Sequence, residues 1–451
     1  VSFNDDTREL VSKECLFLFD AADDRLPAVD HRTLFAPVAR LNGMLIASLL
    51  LAATATTTPI PLDRARNAFA EAHVASDEDD GKMWGRPLYG PMIFVDPQTR
   101  FVVANQADSG GELKGENGLF TGTLPKDVVI ANTATNWSGV HWTMVMWGGF
   151  GQRSVSVRTL LLHECFHRIQ DDAGLPATQG NNAHIDALDG RYWFLLELRA
   201  LARALKDQDR TSAIADALAF RAKRRALFPE AAVNERLLEN NEALAEYTGY
   251  ALRGTTDAES RLAVARNLDN LDRGQTFMRG FAYLTGPAYG LLIDAYSKGW
   301  TRNYKATDDL AQTLAKAANV TAGDADARAA AYDGTKLRAE EVTRDRERQE
   351  RIAKYRAQLS EGPVIELPMK NGNYGFDPST VISLGDLGNG YPTLSLSAEW
   401  GTVDATNGAR IAADFSNAYI AVADGEKVKL NPGWEFVPGA RPGDLRIARK
   451  Q

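Results

Sequence analysis

The sequence predicts an α+β protein: a strand-rich segment, then a mainly helical body, then a C-terminal all-β, sandwich-like unit. Three observations predict it. Between residues 91 and 147, short apolar runs are separated by Gly, Asn, Asp and Pro. From Ser154 to about Tyr304, apolar residues recur at helical spacing with few breakers. Beyond Gly362, alternating runs return at roughly regular intervals. At 451 residues the chain is too long for one ordinary domain of about 150 residues. The expected division is 1–55 as an upstream extension and signal peptide, 56–332 as the main body, 333–361 as a charged helical linker and 362–451 as the β-sandwich-like unit.

In chain order, the first methionine is Met44, which opens the run Met44–Ala55 ending in Ala53-Thr54-Ala55. Its twelve largely apolar residues are too few to cross a bilayer and match a signal-peptide core with its cleavage site. The expectation is translation from Met44, a mature start near Thr56, and a periplasmic or secreted protein. A short buried helix competes with it, because no Lys or Arg lies between Met44 and the apolar run. Of the two cysteines, Cys15 precedes Thr56, so the mature chain would keep Cys165 alone, with no disulfide framework. Cys165 lies in an apolar helical stretch and reads as a core thiol.

Residues 63–74 have helical composition. Strands are expected at Pro91–Val95, Phe101–Ala104, Val128–Ala131 and His141–Trp147. Helices follow around Val157–Ile169, at Tyr192–Leu205, at Ala213–Phe228 and at Ala231–Arg253. Residues 338–358 mix charges of both signs and read as a solvated helix bridging two units. The last strands are expected near Val364, Thr380, Thr393, Ala418, Lys427, Trp434 and Leu445.

With 44% hydrophobic and 24% charged residues the composition is that of a globular protein. The net charge is −8 and the basic residues form no single stripe, which argues against nucleic acid as a partner. No segment reads as a transmembrane helix.

The chemistry is concentrated at His163-Glu164-Cys165-Phe166-His167. Histidines four apart on a helix project from one face and can share a metal ion. Neutral imidazoles suit Zn2+, and Glu164 can accept a proton from water beside such a metal. The bland alternative is a chance match on an amphipathic helix, and Arg168 is an unusual neighbour. A catalytic zinc needs a third protein ligand. Gln170 and Ala173 stand where an extended motif would place Gly and a third His. The remaining candidates are His184, Asp186, Glu197, Glu242 and Glu246.

The motif His163-Glu164-x-x-His167 with Asn241-Glu242-x-x-x-Glu246 resembles the gluzincins, the thermolysin-like and aminopeptidase-like zinc peptidases. The resemblance implies a zincin-like catalytic body, with Glu242 as third zinc ligand. It implies that Glu246 orients a ligating histidine, at a position usually held by Asp. The 74 residues between His167 and Glu242 exceed the usual gap and require inserted helices. Against this, Glu235, Glu239, Glu242 and Glu246 share one helical face, as on an ordinary helix with a solvated acidic side. Tyr283, Tyr247 and His141 are candidates for stabilising an oxyanion.

The expected function is a zinc-dependent metallopeptidase with Glu164 as general base, acting on a peptide or protein substrate. A zinc hydrolase of a non-peptide amide or ester and a non-catalytic protein retaining the motif are the alternatives. The sequence gives no reading of oligomeric state.

Overall fold

Helix α1 (Leu62–Asp79) opens the residues described by the computed structural model, which are 58–148, 154–207, 209–370 and 372–450. Cys15 and the run Met44–Ala55 lie outside them. Pro61 at the N-cap fixes the approach to α1, and Asp63 in the first turn complements the helix dipole. The helix ends at Asp80 in the left-handed region, with φ 54°.

A six-stranded sheet follows, in the order β3-β4-β2-β1-β6-β5. Its strands are β1 (Met92–Val95), β2 (Phe101–Ala104), β3 (Lys114–Glu116), β4 (Leu119–Thr123), β5 (Thr133–Trp137) and β6 (Val140–Met146). All pairs are antiparallel except β1 with β6, where Met92 faces Thr143 and Val95 faces Met146. The two-residue side-chain period splits β1 between two cores. Met92 and Phe94 join the helical core, while Ile93 and Val95 fill a smaller core with Val102, Trp142 and Met144.

The expected strand at Val128–Ala131 is absent from this sheet, and β5 takes the adjoining residues instead. The Arg100 guanidinium binds the carbonyls of Leu124, Pro125 and Val128. The Val128 carbonyl and the two before the segment are therefore met by a side chain and not by a strand ladder.

The helical body begins with α2 (Ser154–Gln170), which lies between β5 and β6 on one side and α6 (Leu244–Ala251) on the other. The other helices of the body contribute to the same apolar core: α3 (Leu188–Leu205), α4 (Arg210–Leu227), α5 (Ala231–Leu238), α7 (Asp257–Asp269), α8 (Phe281–Asp294), α9 (Leu310–Ala318) and the single turn α10 (Ala325–Arg328).

The helix expected at Ala231–Arg253 is continuous from Ala231 to Ala251, but it is not uniformly α. A π-helical turn, Glu239–Ala243, separates α5 from α6. The turn is pinned from outside its own helix. Glu239 accepts from Arg221 and Thr285, and Asn240 donates to the Ala306 carbonyl at 2.7 Å. The solvated acidic face is also corrected, because Glu235, Glu239, Glu242 and Glu246 are all buried. Arg224 and Arg225 of α4 ion-pair with Glu235, and Arg221 pairs with Glu239. Buried carboxylates survive only with such partners.

The charged segment forms α11 (Gly334–Arg356), largely exposed as expected. It is tied to the helical body by Leu337, which is buried, and by the buried pair Glu341–Arg191 at 3.2 Å.

Two sheets close the chain. A seven-stranded sheet runs β16-β17-β7-β14-β13-β10-β9 and a four-stranded sheet runs β15-β12-β11-β8. The strands are β7 (Val364–Pro368), β8 (Asn373–Gly375), β9 (Ile382–Ser383), β10 (Asn389–Tyr391), β11 (Leu394–Ala398), β12 (Gly401–Ala405), β13 (Ala409–Ile411), β14 (Asn417–Ala421), β15 (Val428–Leu430), β16 (Trp434–Pro438) and β17 (Leu445–Arg449). Both sheets contribute to one core, with Ile365, Ile411 and Ile420 from the larger and Leu394, Leu396 and Val403 from the smaller. The chain is therefore α+β. Among the described residues, no helix is long and apolar enough to cross a membrane.

Candidate metal centre

Leu160, Leu161 and Leu162 bury the middle of α2 and carry the following turn into the interior. His163 and His167 stand one turn apart there, with their Nε2 atoms 3.1 Å apart. Glu242, from the π-helical turn, brings Oε2 to 3.5 Å from each Nε2. The three form a buried group of potential metal donors, all within 4.8 Å of one another. It is the group of this kind found among the described residues. His163 is 1% exposed and Glu242 6%, so the donors face one another and not bulk water.

Each imidazole is fixed by its other nitrogen. His163 Nδ1 lies 2.8 Å from Glu246 Oε2, and His167 Nδ1 lies 2.9 Å from Gln170 Oε1. An acceptor at Nδ1 holds the proton there and leaves the Nε2 lone pair for a metal. The Gln170 amide donates to Asn241 Oδ1 at 3.3 Å, and Asn241 donates to Glu242 Oε1 at 3.1 Å. A chain of amides thus runs from one histidine of α2 to the carboxylate facing it. Tyr283 of α8 completes the wall. Its hydroxyl donates to Glu242 Oε2 at 2.7 Å, and its ring stacks on His163 at 5.6 Å and 7°. Gly286 lets α8 come this close, since a Cβ there would lie 2.2 Å from the Ala243 carbonyl oxygen.

Within the cluster the charges lock together. Burial opposes protonation of His163, but the Glu242 and Glu246 carboxylates outweigh it and hold its pKa at about 10. His167 is also raised, with burial again overcome by Glu242. Burial pushes Glu242 upward, yet the two imidazoles hold it well below the usual carboxylate range. Glu164 behaves differently. Burial lifts its pKa to about 6, and the neighbouring imidazoles only partly offset this. Its Oε2 is buried without a hydrogen-bond partner among the described residues.

The other candidates from the sequence are engaged elsewhere. Glu197 accepts from Arg221, Arg224 and Tyr289. His184 contacts Glu235 at 2.8 Å, and Asp186 is held by Arg191 and Thr276. Glu246 meets His163 through Nδ1, the side away from Glu242. Tyr247 donates to Asp294, and both nitrogens of His141 are occupied, by Asn136 and the Arg168 carbonyl. Arg168 reaches away to the Leu88 carbonyl at 2.7 Å. Cys165 is buried, and burial pushes its thiol up to about 12, as suits an inert core residue. Gln170 and Asn241 were given no role from sequence. The available signal was spacing: Gln170 follows His167 by three residues on the same helical face.

Comparison with family models, curated proteins and solved structures returned no match.

Proposed function

We propose that His163, His167 and Glu242 hold Zn2+ and that the chain is a zinc metallopeptidase of gluzincin type. Two imidazoles and one carboxylate are a donor set that zinc favours. The donor separations of 3.1, 3.5 and 3.5 Å bracket the edge of about 3.3 Å of a tetrahedron with bonds of about 2.0–2.1 Å. The wording His163-Glu164-x-x-His167 with Asn241-Glu242-x-x-x-Glu246 supports the gluzincin reading, with Glu246 orienting His163.

Zinc in this site would supply Lewis acidity and bring the pKa of a bound water to about 7. The observation that carries the catalytic reading is Glu164: a buried carboxylate beside the donors, with one unpartnered oxygen and a pKa of about 6. Such a group takes the proton of the attacking water as a C–O bond forms at the peptide carbonyl. It then delivers that proton to the amine as the C–N bond breaks. The Tyr283 hydroxyl, beside Glu242 Oε2, is the donor placed to turn toward the developing oxyanion.

The test compares metal content and peptide cleavage in three proteins. Wild type is expected to hold one zinc per chain and cleave unstructured protein substrate. His163→Ala is expected to lose the metal, and Glu164→Gln to keep it while losing cleavage. Full activity in zinc-loaded Glu164→Gln would overturn the mechanism, and wild type without stoichiometric metal would overturn the site. We also take Met44–Ala55 as an export signal, which makes the peptidase periplasmic or secreted. Amino-terminal sequencing that finds residues 1–55 intact on exported protein would refute this.

A further inference from the structure

A cleft of about 130 Å3 lies where α11 meets the loop before α8 and the segment around β9. The backbone joins these parts at its edge, where Thr276 N–H donates to the Ser379 carbonyl at 2.8 Å. Arg344, Arg348 and Arg351 line it from successive turns of one face of α11, and Arg191 lines it from α3. These four cations are not equally committed. Arg191 is held by Asp186 and the carbonyls of Arg273 and Gln275. Arg344 is held by Glu341 and the Asp186 carbonyl. Arg348 makes one long contact, 3.4 Å to Asp345 Oδ1. Arg351 has no hydrogen bond or ion pair among the described residues.

Four guanidinium groups thus stand against three carboxylates, Asp186, Glu341 and Asp345. The cleft keeps positive charge in a chain whose net charge is −8. Ser383 adds a hydroxyl. It accepts from Gly385 N–H, which leaves its own proton to donate.

We propose that this cleft binds a small oxyanion of phosphate size, clamped by the guanidinium forks of Arg348 and Arg351 with Ser383 as a further donor. Planar forks match tetrahedral and planar oxyanions, and the surplus here is of donors and not acceptors. At about 130 Å3 the space is well below the roughly 300 Å3 at which whole-ligand pockets begin. Only the anionic group of a larger molecule would enter. A bound anion would join α11 to the β9 segment, so binding stabilises the fold that holds it.

The experiment titrates the full chain with inorganic phosphate at ionic strength held constant with sodium chloride, followed by calorimetry and thermal unfolding. The expected result is saturable binding with a rise in Tm. Arg348→Gln and Arg351→Gln are each expected to weaken it about tenfold. Arg346→Gln removes the same charge from an exposed position that does not line the cleft, and is expected to bind as wild type does. Glycerol 3-phosphate serves as the second arm: tighter binding marks a phosphomonoester as the occupant, and equal binding marks the free ion. A Tm rise that chloride alone reproduces, or an Arg351→Gln protein that titrates like wild type, overturns the proposal.

Discussion

Glu246 accepts from His163 Nδ1 at 2.8 Å, and so decides which nitrogen of that imidazole faces Glu242. The two residues belong to different helices, α2 and α6, which pack against each other in the core. If the proposed metal site is right, Glu246→Ala leaves all three donors in place yet frees the ring to rotate and change tautomer. The expected loss is about 10–100-fold in zinc affinity, measured by competition with a chromophoric chelator. Glu246→Asp, whose carboxylate is one methylene shorter, is expected to fall between wild type and Ala.

The amide chain through Gln170 and Asn241 makes a separate claim. Because it links His167 to Glu242, its two members act as one unit. Gln170→Ala and Asn241→Ala are each expected to weaken zinc binding. The double variant is expected to be less impaired than the sum of the two, with a coupling above about 0.5 kcal/mol. Strict additivity in this cycle would show that the chain carries nothing between the two donors.

These two cases also show what was legible in sequence. His163 and His167 could be read because helical spacing alone makes them neighbours, and Glu242 because the Asn-Glu wording follows on a later helix. The acidic face was misread for a physical reason. Glu235 and Glu239 have their countercharges on Arg221, Arg224 and Arg225 of another helix, and no pattern within residues 231–253 announces those partners. The π-helical turn is hidden likewise, since tertiary contacts to Thr285 and Ala306 hold it. For the fold, alternation located β1, β2, β6 and most C-terminal strands. It failed at Val128–Ala131, where Arg100 takes the Val128 carbonyl together with those of Leu124 and Pro125 just before it.

Gly286 offers a stability test tied to the site. A Cβ there would meet the Ala243 carbonyl oxygen at 2.2 Å, its Cα at 2.5 Å and its carbonyl carbon at 2.6 Å. Backbone atoms cannot swing aside as a flexible side chain can, so α8 must retreat from the π-helical turn. Gly286→Ala is expected to cost about 1–3 kcal/mol in denaturant unfolding. Displacement of Tyr283 and Glu242 should lower zinc affinity in the same protein. Unchanged stability would mean that α8 does not approach the Ala243 backbone this closely.

The buried ion pairs around Arg221 predict an acid-sensitive contribution to stability. Burial pushes the Asp309 carboxyl up, but Arg221 and Arg225 overcome it and hold the pKa at about 2. An unfolded aspartate titrates near 3.9. The folded state therefore favours the ionised form. The stabilisation is full above about pH 4 and is lost as pH falls through about 2. At neutral pH this linkage is on the order of 2–3 kcal/mol. Asp309→Asn is expected to be the less stable protein at pH 7, with the gap to wild type narrowing between pH 4 and pH 2 in parallel urea titrations. A gap constant across that window would show that Asp309 is not ionised against these arginines.

Tyr283 separates binding from turnover. Its hydroxyl rests on Glu242 Oε2 at 2.7 Å, and its ring is held over His163. Tyr283→Phe keeps the stacked ring and removes only the donor. Zinc content is therefore expected to remain stoichiometric. In the proposed reaction the hydroxyl matters most when negative charge develops on the substrate oxygen, so the loss should fall on kcat, by about 10²-fold, with KM little changed. A rise in KM at constant kcat would instead assign the hydroxyl to ground-state substrate binding. Loss of the metal would assign it to holding Glu242 in place.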